Sequence, residues 1–161
     1  MMPNFQIRET NHDDQGWIAQ LLRNHWGSEK IVTRNQIHLA EKLPGWLAIR
    51  EGAPAGLVLY HIDCQECEIV LLESLAPRLG VGTALIDAVT KIAVKRGCKR
   101  LWLITTNDNL AAVRFYQLRG FTLAAVHRNA VDEARKIKPE IPLSGMDGIP
   151  VRDEIEMEML L

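Results

Sequence analysis

A chain of 161 residues, 47% hydrophobic and 24% charged, can build one core and is too short for two ordinary domains. Its formal net charge of -1 gives no general attraction to nucleic acid or to an anionic membrane, so any affinity for phosphate must be local. No run approaches a membrane span, residues 1–9 have no apolar signal region, and three cysteines argue against a disulfide framework; these features predict a cytoplasmic protein.

Residues 5–8 alternate apolar and polar, which predicts a first strand with one wet face. Residues 11–14 supply N-caps for a helix through Trp17, Ile18, Leu21, Leu22 and His25, broken at Gly27 and Ser28. Residues 33–42 read as a second helix capped by Thr33, with Pro44 and Gly45 ending it. Residues 46–50 and 55–62 read as strands of an antiparallel hairpin joined through Glu51-Gly52-Ala53-Pro54, and a turn at 63–66 follows.

The stretch EIVLLESLAPRLGVG, residues 68–82, comes next and runs directly into a helix over 83–96. An apolar strand that empties into a glycine turn opening a helix aims backbone N–H groups at an anion. Gly80 and Gly82 admit close backbone approach, and the helix start adds partial positive charge. The helix is amphipathic, with Leu85, Ala88, Val89, Ile92 and Ala93 on one face, and Gly97 stops it. A buried strand at 101–104 completes a strand–helix–strand unit, which demands parallel pairing through a right-handed crossover. A polar loop, a helix ending at Leu118, Gly120 and a strand over 121–126 follow. Residues 129–138 read as a charged helix, Pro139 to Pro150 as a long loop, and residues 153–160 as a final strand with one wet face.

Nucleotide-binding readings of the glycine turn fail on its chemistry. It lacks the Gly-Lys-Ser/Thr ending of a P-loop, and Leu85 stands where a dinucleotide fingerprint needs its third glycine. Cys64 and Cys67 lack the further ligands a structural zinc needs, so no metal centre is predicted. Trp17, Trp46 and Trp102 read as core.

Two stretches together carry a family resemblance: Arg78-Leu79-Gly80-Val81-Gly82-Thr83-Ala84-Leu85, and Asn109-Leu110-Ala111-Ala112-Val113-Arg114-Phe115-Tyr116 closing on Arg119-Gly120-Phe121. Both, in this order, resemble the acetyl-CoA-binding core of the GNAT family of N-acetyltransferases. The resemblance implies one α/β (α+β) domain over residues 1–161: a mixed, mostly antiparallel sheet with a central splayed parallel pair, flanked by helices. It implies that the amides of Leu79, Gly80, Val81, Gly82 and Thr83 hold the pyrophosphate of coenzyme A. The pantetheine arm would enter between residues 71–75, Leu75 included, and 101–105, with Asn109 and Phe115 beside it. Pro77 departs from the family, which has Gln or Arg there; Pro77 has no N–H, and Arg78 is the replacement at hand.

The implied chemistry is direct acetyl transfer from acetyl-CoA to a primary amine, with no metal. An ammonium with a pKa of about 10 must lose its proton before it attacks. Glu68 resembles the family's base, and Glu73 is the other carboxylate on that strand; their odd spacing puts them on opposite faces unless a bulge intervenes. Tyr116 matches the tyrosine that protonates the departing thiolate, and an N–H within 72–74 would steady developing negative charge. Trp26, Arg135, Lys138, Arg152 and Asp153 are candidates for selecting the acceptor. The expected partners are acetyl-CoA and an amine, with no nucleic acid or membrane and with room for a homodimer. A non-catalytic acyl-CoA sensor and a protein-acetylating enzyme are the alternatives.

Overall fold

A computed structural model describes residues 4–161. The elements in chain order are β1 (Gln6–Glu9), α1 (Gln15–Trp26), β2 (Lys30–Thr33), β3 (Gln36–Leu39), β4 (Gly45–Arg50), β5 (Ala53–Asp63) and β6 (Glu66–Ser74). The second half supplies α2 (Val81–Lys95), β7 (Arg100–Thr106), α3 (Leu110–Leu118), β8 (Thr122–His127), α4 (Ala130–Ile137) and β9 (Glu154–Leu160). Seven strands form one sheet in the order β1-β4-β5-β6-β7-β9-β8, and β2 and β3 make a separate two-stranded ribbon. Among the described residues only β6 and β7 pair in parallel, the pairing required by the crossover through α2.

Each face of the sheet carries its own apolar cluster. Val81, Leu85 and Val89 of α2 and Tyr116 of α3 pack with Cys67, Ile69, Leu101, Leu103 and Met157 on one face. Ile18, Leu21 and Leu22 of α1 pack with Leu47, Leu57, Leu59, Val70 and Leu71 on the other. The 3-10 turn His12–Asp14 that leads into α1 is started by a capping box in which the Asp14 carboxylate accepts from the Asn11 N–H at 2.8 Å. Arg8 grips the same carboxylate at 2.7 and 2.8 Å and holds it below the usual carboxylate range.

The helix expected over residues 33–42 is instead the β2–β3 hairpin followed by a short 3-10 turn. Arg34 and Asn35 form a two-residue loop with φ of 48° and 60°, the double left-handed geometry of a primed hairpin turn. Ile37 and Leu39 lie on the exposed side and His38 on the buried side. Apolar residues on the wet face therefore mimicked a helical stripe. The same turn geometry joins β4 to β5 through Glu51-Gly52 and β5 to β6 through Cys64-Gln65.

Candidate active site

β6 and β7 pair only over Glu66–Ile69 against Arg100–Leu103. Beyond Ile69, β6 continues to Ser74 against β5, while β7 continues to Thr106 against β9. The backbone of residues 70–74 therefore has no ladder partner on its β7 side, and a notch opens above Ile69 and Leu103. On the β5 side the register slips from Leu59↔Leu71 to Tyr60↔Ile69, so Val70 is an inserted bulge residue. The bulge resets the alternation. Val70 and Leu71 both join the α1-side cluster, while Cys67, Ile69 and Leu72 belong with the α2-side cluster. Glu68 and Glu73 consequently share the α1 face despite their odd spacing, the outcome that only a bulge allows.

The notch leads to the glycine turn. Arg78 and Gly80 both have left-handed backbone, φ 66° and 79°, and Gly80 caps α2. Ala84 N donates to Gly80 O at 3.0 Å, but the amides of Val81, Gly82 and Thr83 have no acceptor among the described residues. Three free N–H groups at the start of a fifteen-residue helix form a positive terminus open to an anion. Leu79 is exposed beside it. Leu75 N is engaged with Ala55 O at 2.8 Å, so this amide is not available to a ligand.

The two glycines are needed for different reasons. At Gly80 an added Cβ would meet nothing within 4 Å, so its requirement is the left-handed φ. At Gly82 an added Cβ would fall 2.9 Å from Phe115 Cζ, so the residue lets α3 press against the start of α2. Ligand approach was the expected reason there, and packing of α3 is a further one that the structure adds. Arg119 locks the arrangement: its guanidinium stacks 3.5 Å from the Phe115 ring centroid, and its Nε donates to Thr83 Oγ1 at 2.8 Å. Gly82→Ala is expected to cost about 1–3 kcal/mol by overpacking. The check is thermal unfolding, with Phe115→Leu in the same chain restoring part of the loss. Asn109 Oδ1 accepts from Ala112 N at 3.1 Å and so caps α3, and its side-chain NH2 has no acceptor among the described residues.

Tyr116 is 8% exposed, with its ring edge-on to Phe115 and Phe121 and packed in the cluster that contains Ile69 and Leu103. Burial pushes its phenol above the ordinary tyrosine value, and the hydroxyl has no hydrogen-bond partner among the described residues. Glu68 is 2% exposed and accepts from Thr33 Oγ1 at 2.6 Å. Glu73 sits at the open end of β6, where His25 Nδ1 lies 2.6 Å from Oε1 and Trp26 Nε1 donates to Oε2 at 3.3 Å. Trp26 thereby meets Glu73 directly. Thr33 and His38 escaped sequence reasoning because they were assigned to a helix; the Arg-Asn turn between β2 and β3 was the available signal.

The candidates in the C-terminal region are engaged within the chain. Arg135 donates to the carbonyls of Ile141, Pro142 and Val151 and to Asp132. Arg152 pairs with Asp153, which also accepts from Asn129 N at 2.9 Å. Lys138 is buried and donates to Lys30 O at 2.8 Å, and desolvation pushes its ammonium down. Asn107 Oδ1 accepts from the N–H groups of Arg152 and Asp153, and Asp108 accepts from Met146 N. The long loop is therefore pinned to the end of β7. Arg135→Ala is expected to cost about 2–3 kcal/mol, because three carbonyls lose a charged donor. By calorimetry this is a fall in Tm of roughly 4–12 °C for a chain of this size.

The Cys64-to-Cys67 motif is divided: Cys64 is exposed in its turn, while Cys67 is core and its thiol is pushed up to about 12 by burial. No group of three or more His, Cys, Asp or Glu suited to a metal occurs among the described residues, and no helix there is long and apolar enough to cross a membrane.

Known proteins share this design. A family model described as the acetyltransferase (GNAT) family matches residues 8–121. YdhI of Bacillus subtilis is 42% identical over 139 residues, covering 86% of this chain and 87% of that protein. The structure of an IAA acetyltransferase from Bacillus cereus matches with a TM-score of 0.76 and 20% identity, over 98% of this chain and 99% of that one. A GNAT family acetyltransferase from Elizabethkingia anophelis with acetyl-CoA bound matches with a TM-score of 0.71 and 20% identity, over 99% and 100%. With the splayed parallel pair, the glycine-capped helix and a family model spanning most of its length, the chain belongs to the acetyltransferase (GNAT) family and is an acyltransferase.

Proposed function

We propose that the chain carries an acetyl group from acetyl-CoA directly to a primary amine of a small molecule, with both substrates bound together. The observation that carries this reading is the parallel pair ending at Ile69 and Leu103 beside a helix start with three free amides. The fit to coenzyme A is chemical. A pyrophosphate suits the N–H groups of Val81, Gly82 and Thr83 with Arg78 nearby, and an extended amide arm suits the unpaired edges of β6 and β7. When bound, acetyl-CoA supplies an activated acyl group. The bound-ligand neighbour from Elizabethkingia anophelis supports this assignment.

The chain's own residues then divide the proton work. Glu68, buried and facing the α1 side, takes the proton of the acceptor ammonium. Glu73, open at the strand end and flanked by His25 and Trp26, draws the amine in by charge. Tyr116, protonated and unbonded, gives a proton to the leaving sulfur. Backbone N–H groups within 72–74, on the free side of β6, steady charge developing on the acyl oxygen. Two apolar clusters on opposite faces of one sheet support reading the 161 residues as one domain, and three free cysteines support a reducing, cytoplasmic setting.

The test is release of free coenzyme A from acetyl-CoA across a panel of diamines, aminosugars, aromatic amines and short peptides. Turnover concentrated on small amines is the expected result. Turnover confined to peptides would make it a protein acetyltransferase, and tight coenzyme A binding with no acceptor would make it a sensor.

A further inference from the structure

The β2–β3 hairpin closes over Glu68 and brings a histidine with it. Thr33 and His38 are 6% and 4% exposed, and both face the carboxylate. Thr33 Oγ1 donates to Oε1 at 2.6 Å, and His38 Nε2 lies 3.4 Å from Oε2. That nitrogen makes no other polar contact and is itself buried. Behind it the His61 ring stands edge-on, 5.4 Å between centroids, on the β5 residue directly opposite Glu68 in the register. His61 is partly open to solvent. The hairpin tip is latched across β7, where Arg34 N and its guanidinium each donate to the buried Glu154 carboxylate at 3.4 Å.

A base that takes a proton in every turnover must return it to water. Glu68 is 2% exposed, so it has almost no surface through which to do so. Its hydroxyl neighbour, Thr33, does not titrate near neutrality, whereas an imidazole does. The other charged groups on this face are held in pairs or contacts: Arg34 with Glu154, Arg100 with Glu66, Glu156 and Glu158, His127 with Glu156, His25 with Glu73, and Lys30 with the Ile137 carbonyl. His38 and His61 are the pair that remains between the carboxyl and solvent.

We propose that His38, backed by His61, is the proton relay that resets Glu68 after each turnover. This inference rests on Glu68 acting as the base. The proton leaving the acceptor ammonium forms the Glu68 carboxylic acid. That acid passes its proton to His38 Nε2, and the resulting imidazolium releases the Nδ1 proton outward past His61 to water. One proton crosses and no electrons move; the carboxylate is restored and the imidazole is neutral again as its Nε2–H tautomer, which returns to the Nδ1–H form by ring flip or proton exchange before the next turnover. His38 touches neither substrate; it acts through Glu68 as a positioning and relay residue.

The test uses carboxyl-13C-glutamate, ring-15N-histidine protein followed by NMR against pH, with Glu68→Gln and His38→Gln assigning the signals. The Glu68 carboxyl signal is expected to move at the His38 midpoint, and that inflection is expected to vanish in His38→Gln. Independent titration of the two groups, with Glu68 unaltered in the variant, overturns the relay. The same variants are then assayed for coenzyme A release with the fastest amine of the panel, after unfolding curves show each is folded. His38→Gln is expected to lower kcat about tenfold and shift the acid limb of the pH profile while the KM for the amine holds. If Glu68→Gln turns over at the wild-type rate, the base assignment fails. If Glu68→Gln is inactive while His38→Gln keeps the wild-type rate and pH limb, the base stands and the relay fails.

Discussion

Tyr116→Phe is expected to lower kcat by about a hundredfold or more while the dissociation constant for acetyl-CoA stays within about twofold. The substitution is unusually clean. The hydroxyl has no partner among the described residues, so its removal leaves no orphaned polar atom and unfolding should be nearly unchanged. The ring contacts with Phe115 and Phe121 are kept by phenylalanine. The phenol is held protonated by burial, and the same apolar wall raises the proton affinity of a thiolate leaving beside it. Pre-steady-state measurement of thiol release separates the step, and an unchanged rate with the true acceptor would remove the acid role.

Glu68→Gln and Glu73→Gln should part company. Glu68→Gln is expected to lose about a hundredfold or more in kcat, with the loss partly recovered at high pH where more of the amine is already free. Glutamine keeps the volume and can still accept from Thr33 Oγ1, so folding should survive. Glu73→Gln is expected to raise the KM for the amine several-fold with a smaller change in kcat, the signature of lost ground-state attraction. Its carboxylate lies at the strand end against His25 and Trp26 and is more open than Glu68. Steady-state kinetics over a pH series decide between them. Equal losses of kcat in both variants would mean that the two carboxylates act as one unit on the amine.

The core of the fold was legible because its signals are local. The apolar run into Gly80, the amphipathic face of α2 and the stop at Gly97 each follow from residues near in sequence. The parallel pairing followed from the strand–helix–strand order and its splay from the family resemblance, and the structure gives the limits, Ile69 and Leu103. The bulge at Val70 was not legible, since it is a property of how β5 and β6 register and leaves no mark in residue type. That one residue brings Glu68 and Glu73 to a common face. The β2–β3 ribbon was misread because Ile37 and Leu39, exposed apolar residues, imitate a helix stripe, while a buried histidine at position 38 looks like a surface residue. Gly82 was singled out for ligand approach, while its tight packing against Phe115 was not foreseen, because α3 lies far from it in sequence. The loop from Pro139 to Pro150 is pinned by Asn107, Asp108 and Arg135, groups too far apart in sequence to be linked by inspection.

Isothermal titration of the purified chain with coenzyme A bears most directly on the notch and the helix start as one binding site. The account predicts saturable heat with one site per chain, falling steeply with pyrophosphate as competitor, and crystals of the complex with the diphosphate on the amides of Val81, Gly82 and Thr83. Absence of heat, or a complex with the arm lying outside the gap above Ile69 and Leu103, would contradict it.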